Sequence, residues 1–90
     1  MNQDKVEMRV AAKSNAHSLA GAIVKTYEER HDVSLLSVGA GSVNQAVKGI
    51  IIARSILASQ GRDVFIRPGF KDVEIDSVKK SAIILDIIIK

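Results

Sequence analysis

Val38-Gly39-Ala40-Gly41-Ser42-Val43-Asn44-Gln45-Ala46-Val47-Lys48 reads as the end of a strand, a tight turn of small residues and the start of a helix. Ser42 stands where an N-cap belongs, with Gln45 three positions on, the spacing of a capping box. The expectation is that Ser42 accepts from the N–H of Gln45 while Gln45 reaches back to Ser42. Such a junction displays free backbone N–H groups at the positive end of a helix dipole, where an anion such as phosphate can sit.

Working outward, Val6-Glu7-Met8-Arg9-Val10 alternates apolar and charged residues, the pattern of a half-buried strand. Lys13-Ser14-Asn15 turns the chain, and Ser14 or Asn15 can cap the next helix. In that helix Leu19, Ala22, Ile23, Thr26 and Tyr27 share one face. Ala20-Gly21-Ala22 thins one side, which predicts a close approach to a sheet. Ser34 to Val38 is a second strand, leading into the opening motif. Val43, Ala46, Val47, Ile50, Ile51, Ala53, Arg54 and Leu57 continue as a helix, with Gly61 just past its last turn. Val64 to Arg67 is a third strand, ended by Pro68-Gly69. The β-branched run Ala82 to Ile89 is the fourth. A long loop or an extended hairpin joins the last two.

The order β-α-β-α-β-β gives an α/β two-layer sandwich. It has a four-stranded mixed sheet, a parallel first pair joined by a right-handed crossover, and both helices on one face. The opposite face of the last strand carries Ile84 and Ile88. Either a partner covers them, most simply a second copy in a two-fold homodimer, or the strand is central and its second face is covered within the monomer.

Ninety residues make one domain with a small core, and 47% hydrophobic content is that of a globular chain. With no cysteine, disulfides and thiolate metal sites are excluded. The stretch Met1 to Lys5 has no basic start backed by an apolar run, so no signal peptide is expected. The apolar tail is broken by Asp86 and falls short of the roughly 20 residues that span a bilayer. The expected location is cytoplasmic.

The net charge is +3. Between Asp32 and Asp63 every charged residue is basic: Lys48, Arg54 and Arg62. A one-sided basic surface suits a polyanion, and a solvated helix face has the same composition. Enzyme chemistry is absent from the pattern. His17 and His31 stand at opposite ends of one helix, roughly 21 Å apart at 1.5 Å per residue, and cannot share a metal. Asp72, Glu74 and Asp76 alternate along an exposed stretch, and Ser14 and Ser42 lack a base. Gly39-Ala40-Gly41 is not a dinucleotide fingerprint, since Asn44 occupies the third glycine position, and no P-loop tail follows. No cofactor is implied. Of the three aromatics only Phe70, beside Pro68-Gly69, is placed to touch a base.

Val10-Ala11-Ala12-Lys13-Ser14, Ser18-Leu19-Ala20-Gly21-Ala22, the Gly39 to Lys48 string, Ile52-Ala53-Arg54 and Ser81-Ala82-Ile83 together resemble the stage V sporulation protein S family. The resemblance covers nearly the whole chain. It implies a bacterial regulator of sporulation and septation. It also implies a single domain over residues 1–90 with the fold of the Alba chromatin proteins and of the C-terminal domain of translation initiation factor three. In Alba proteins two strand–helix loops and the final hairpin meet DNA or RNA. Carried over by position are Lys13, Asn44 and its neighbours at the helix start, and the hairpin's Arg67, Lys71, Lys79 and Lys80. With Ser14, Gly41, Ser42 and Lys48 they make up the expected nucleic-acid-binding set. This chain departs from the pattern in having Gly39 and Gly41 where Alba proteins place arginines, and Gln45 where they place a lysine. Any phosphate contact at that turn then comes from backbone amides and Asn44. The competing reading is a protein–protein interaction module that binds no nucleic acid.

Overall fold

A computed structural model describes residues 4–90. Met1, Asn2 and Gln3, part of the stretch read for a leader, lie outside the described residues. The elements are β1 (Lys5–Val10), α1 (Ala16–Glu28), β2 (Asp32–Ser37), α2 (Ala40–Ala58), β3 (Val64–Ile75) and β4 (Val78–Ile89). They form one mixed sheet in the order β1-β2-β4-β3. The β1–β2 pair is parallel, and β4 runs antiparallel to both β2 and β3. The expected element order and sheet type therefore hold.

Burial follows the strand period. Val10, Val33, Leu35, Leu85, Ile87 and Val64 face α1 and α2, and with Ile23, Ile50 and Leu57 make the core. The helices also pack on each other. Gly49 sits buried in mid-α2 because a Cβ there would lie 2.7 Å from Leu19 Cδ2. The close approach thus falls at Gly49 and not, as expected, at Gly21, which is exposed with open space around it.

Two local readings need correction. The Pro68-Gly69 pair does not end β3, which continues to Ile75 with Pro68 opposite Leu85. β3 is an edge strand, the one place in a sheet where a missing N–H need not break a ladder. The hairpin then closes over two residues, Asp76 and Ser77, both at positive φ (51° and 63°). That is the backbone of a tight type I′ turn.

The second correction concerns the N-terminus of α2. The cap is Gly39, at φ 92°, with no side-chain cap bond. The chain leaves β2 so sharply that only a glycine adopts the required backbone without strain, and the helix starts at Ala40. Ser42 therefore lies inside the first turn. Its hydroxyl donates back to the carbonyls of Val38 (2.7 Å) and Gly39 (2.8 Å). No capping box forms, and Gln45 is free to bond elsewhere. At α1 the expected cap is present: Asn15 Oδ1 accepts from the N–H of Ser18 at 2.9 Å.

Candidate nucleic-acid interface

Parallel pairing of β1 and β2 brings both strand–helix loops to the same end of the sheet. The loop after β1 is folded onto the start of α2. Gln45 Nε2 donates to the Ser14 carbonyl at 2.7 Å. A Cβ on Gly41 would lie 3.0 Å from Ala12 Cβ, so the small residue permits that contact. Ser14 closes the loop on itself, its hydroxyl oxygen accepting from the Ala11 N–H at 2.9 Å. Lys13 is thereby held exposed beside the first turn of α2.

The β3–β4 hairpin reaches the same end. β2 stops at Ser37, opposite Ile83, so Val78 to Ala82 and their partners Lys71 to Ile75 project past it. Lys80 stands opposite Val73, and Lys79 opposite Glu74. Lys48 is exposed on α2, one turn beyond the exposed Asn44 on the same side of the helix.

The structure thus gathers Lys13, Ser14, Gly41, Ser42, Asn44, Lys79 and Lys80 at one end, with Lys48 a little way along α2. Ser42 is buried there at 3% exposure, so its side chain turns inward. Arg67 lies apart, on the sheet face that the helices leave open, and Lys71, at the base of the projecting hairpin, shares that face with Arg67 and Lys80. Arg67 is opposite Asp86, and Lys71 Nζ bonds Glu7 Oε1 at 2.6 Å. The basic run in mid-sequence is also less basic in space, because Arg54 Nε pairs with Asp63 Oδ1 at 2.9 Å. That guanidinium and the Val64 N–H hold the Asp63 carboxyl below the usual carboxylate range. Gln45, not among the expected contacts, is the residue that joins the two loops. Its place in the opening motif was visible, but not its partner 31 positions away.

Asp86 anchors the open face. It accepts from Ser34 Oγ at 2.6 Å and from Lys5 Nζ at 3.2 Å. The serine bond above all, then Lys5 and Arg67, hold its carboxyl below the usual range against the effect of burial. A depressed folded pKa stabilises the fold above the unfolded pKa, and that stabilisation is lost as pH falls through the folded value. Asp86→Asn should therefore flatten the acid limb of a stability–pH curve below about pH 4. An unchanged limb in thermal melts would show that Asp86 is not a source of it.

Among the described residues no group of three His, Cys, Asp or Glu side chains is placed to hold a metal, and no helix is long and apolar enough to cross a membrane. A cleft of about 520 Å³ lined by Tyr27, Arg30 and His31 lies at the opposite end of the sheet and does not overlap this interface.

This arrangement of two helices on one face of a four-stranded mixed sheet is the Alba fold. The structure is similar to that of Alba from Thermoplasma volcanium, with a TM-score of 0.63 at 14% identity, covering 94% of this chain and 99% of that one. The model of the family described as Stage V sporulation protein S matches residues 6–90. The chain belongs to that family.

Proposed function

We propose that this protein is a small non-catalytic regulator in sporulation or septation that binds the phosphate backbone of a nucleic acid as a homodimer. The observation that carries the reading is the convergence of both loops and the hairpin on one end, with Lys13 fixed there by the Gln45–Ser14 bond. The first turn of α2 adds unshielded amides, since it has neither a side-chain cap nor an acidic residue. Few base edges can be read by lysines and amides of this kind, so the binding is expected to be nearly independent of sequence.

Self-association is supported by exposed apolar side chains rather than by Ile84 and Ile88, which are half-buried. On the helix side, Ile51 is 57% and Phe70 80% exposed, with Ile56 and Ile66 also exposed. A dimer would cover them. Light scattering that returned the 9.7 kDa monomer mass at every concentration would remove the dimer.

The test of nucleic-acid binding is a titration of DNA and RNA duplexes at several salt concentrations. Contacts from Lys13, Lys48, Lys79 and Lys80 give an expected slope of log affinity against log salt of about −2 to −4 per protomer. Absence of binding at low salt would leave the protein-interaction reading in its place.

A further inference from the structure

The face of the sheet away from the helices carries a set of residues that the loop-and-hairpin end does not use. By strand alternation it presents Lys5, Glu7 and Arg9 from β1, Asp32, Ser34 and Leu36 from β2, Ile84, Asp86 and Ile88 from β4, and Phe65, Arg67, Gly69 and Lys71 from β3. Glu7 lies across the sheet from Arg67, so in a flat sheet Lys71 would be about 14 Å across and about 13 Å further along the strand, yet its side chain bonds Glu7 at 2.6 Å. The sheet twist brings these two diagonal corners together on this face. Leu36 and Ser34 are buried on this face. A cleft of about 290 Å³ opens at its Lys5–Asp32 end, lined by Lys5, Asp32, Ser34, Arg67, Asp86 and Ile88.

The chemistry is that of a polyanion carrying flat apolar groups. Glu7 and Asp86 are already paired with Lys71 and Lys5. Arg9 and Arg67 are exposed and have no ion pair among the described residues. Asp32, opposite Lys5, offsets part of this charge, so Lys5, Arg9, Arg67 and Lys71 exceed Glu7, Asp32 and Asp86 by one. Phe65 is 52% exposed on the open side, next to Ile88. Phe65, Arg67 and Gly69 repeat along β3 every two residues, about 6.8 Å, a spacing suited to successive nucleotides of an extended strand. Gly69 adds no side chain between Arg67 and Lys71, so a base or sugar can approach the backbone.

We propose that this open face binds single-stranded nucleic acid at a site distinct from the loop-and-hairpin end. Phe65 is the stacking platform, and Arg67 and Arg9 are the phosphate or base contacts. Stacking on Phe65 needs an unpaired, splayed base, which a single strand offers and a duplex does not.

The chain contains no tryptophan, so Phe65→Trp introduces a single reporter at an exposed site. Oligothymidine or oligouridine of twelve nucleotides should quench its fluorescence strongly, while a duplex of the same length should not. Phe65→Ala should weaken single-strand binding about tenfold or more at fixed salt. Lys13→Glu, in the loop-and-hairpin interface, should leave the quenching intact, which separates the two sites. The proposal is overturned by any of three results: no quenching at saturating oligonucleotide, a Phe65→Ala protein that binds single strands as the unaltered chain does, or oligoglutamate competing as well as the oligonucleotide. The last would make the face a dock for an acidic protein segment.

Discussion

Gly49→Ala should destabilise the protein by about 1–2 kcal/mol, although alanine is the better helix former. In an exposed helix interior the same change is worth about 1 kcal/mol in the opposite direction. Gly49 is not exposed. Its added Cβ would lie 2.7 Å from Leu19 Cδ2, 2.9 Å from Cγ and 3.2 Å from Cβ. Rotating the end of the leucine relieves only the first contact, so α1 must shift against α2. Overpacking of this kind costs about 1–3 kcal/mol. For a domain of this size each kcal/mol lowers Tm by about 4–8 °C. Gly21→Ala is the matched control. It is exposed in mid-α1 with nothing within 4 Å of the new methyl, and should raise Tm. Trimming Leu19 to alanine in the Gly49→Ala background should restore part of the loss, a coupling of at least about 1 kcal/mol. Equal stabilisation by both glycine replacements would mean that the helices are not in contact at Leu19.

These two glycines also show what the sequence could and could not convey. The elements themselves were legible, because period-two alternation in Val6 to Val10 and the wide apolar stripe from Val43 to Leu57 are properties of neighbouring residues. Which glycine lies at a helix crossing is not, because the clash at Gly49 comes from Leu19, on the other helix. Pro68 looked like a stop because proline cannot donate to a ladder. It is tolerated because β3 has a neighbour on one side only, a fact set by strand order. Ser42 looked like a cap because its spacing to Gln45 is right. The turn instead demanded φ 92° at Gly39, and the helix began three residues earlier than the cap pattern requires.

The site divides in the same way. Lys13, Asn44 and the hairpin lysines were found by position in the motif, and topology brings most of them to one end. Of the ion pairs that remove charge from the expected basic surface, Arg54 and Asp63 are nine positions apart, whereas Lys71 and Glu7 are 64 apart. The open-face cations Lys5 and Arg9 stand in the first strand's alternation. Their importance appears only when β3 lies across the sheet from them.

Replacing both Lys13 and Lys80 with glutamate should lower affinity for a duplex by about a hundredfold or more at moderate salt. Lys13 sits in a loop that Gln45 and the Ala12–Gly41 contact press against α2, so its charge is displayed at a fixed place. Lys80 faces Val73 and has no carboxylate opposite it in the hairpin. A charge-assisted contact is worth about 1.5–3 kcal/mol, and two such contacts account for the hundredfold loss before repulsion is added. Losing two phosphate contacts should also make the salt slope less steep by about two. Lys79→Ala is the comparison, since Glu74 opposite already offsets that charge, and its effect should be several-fold at most. Both lysines of the double variant are exposed, so its melting temperature should stay close to that of the unaltered chain. A double variant that keeps full affinity and the original salt slope would show that this end of the sheet does not meet the polymer. Any binding would then have to come from the open sheet face, where Phe65 and Arg67 give an independent readout.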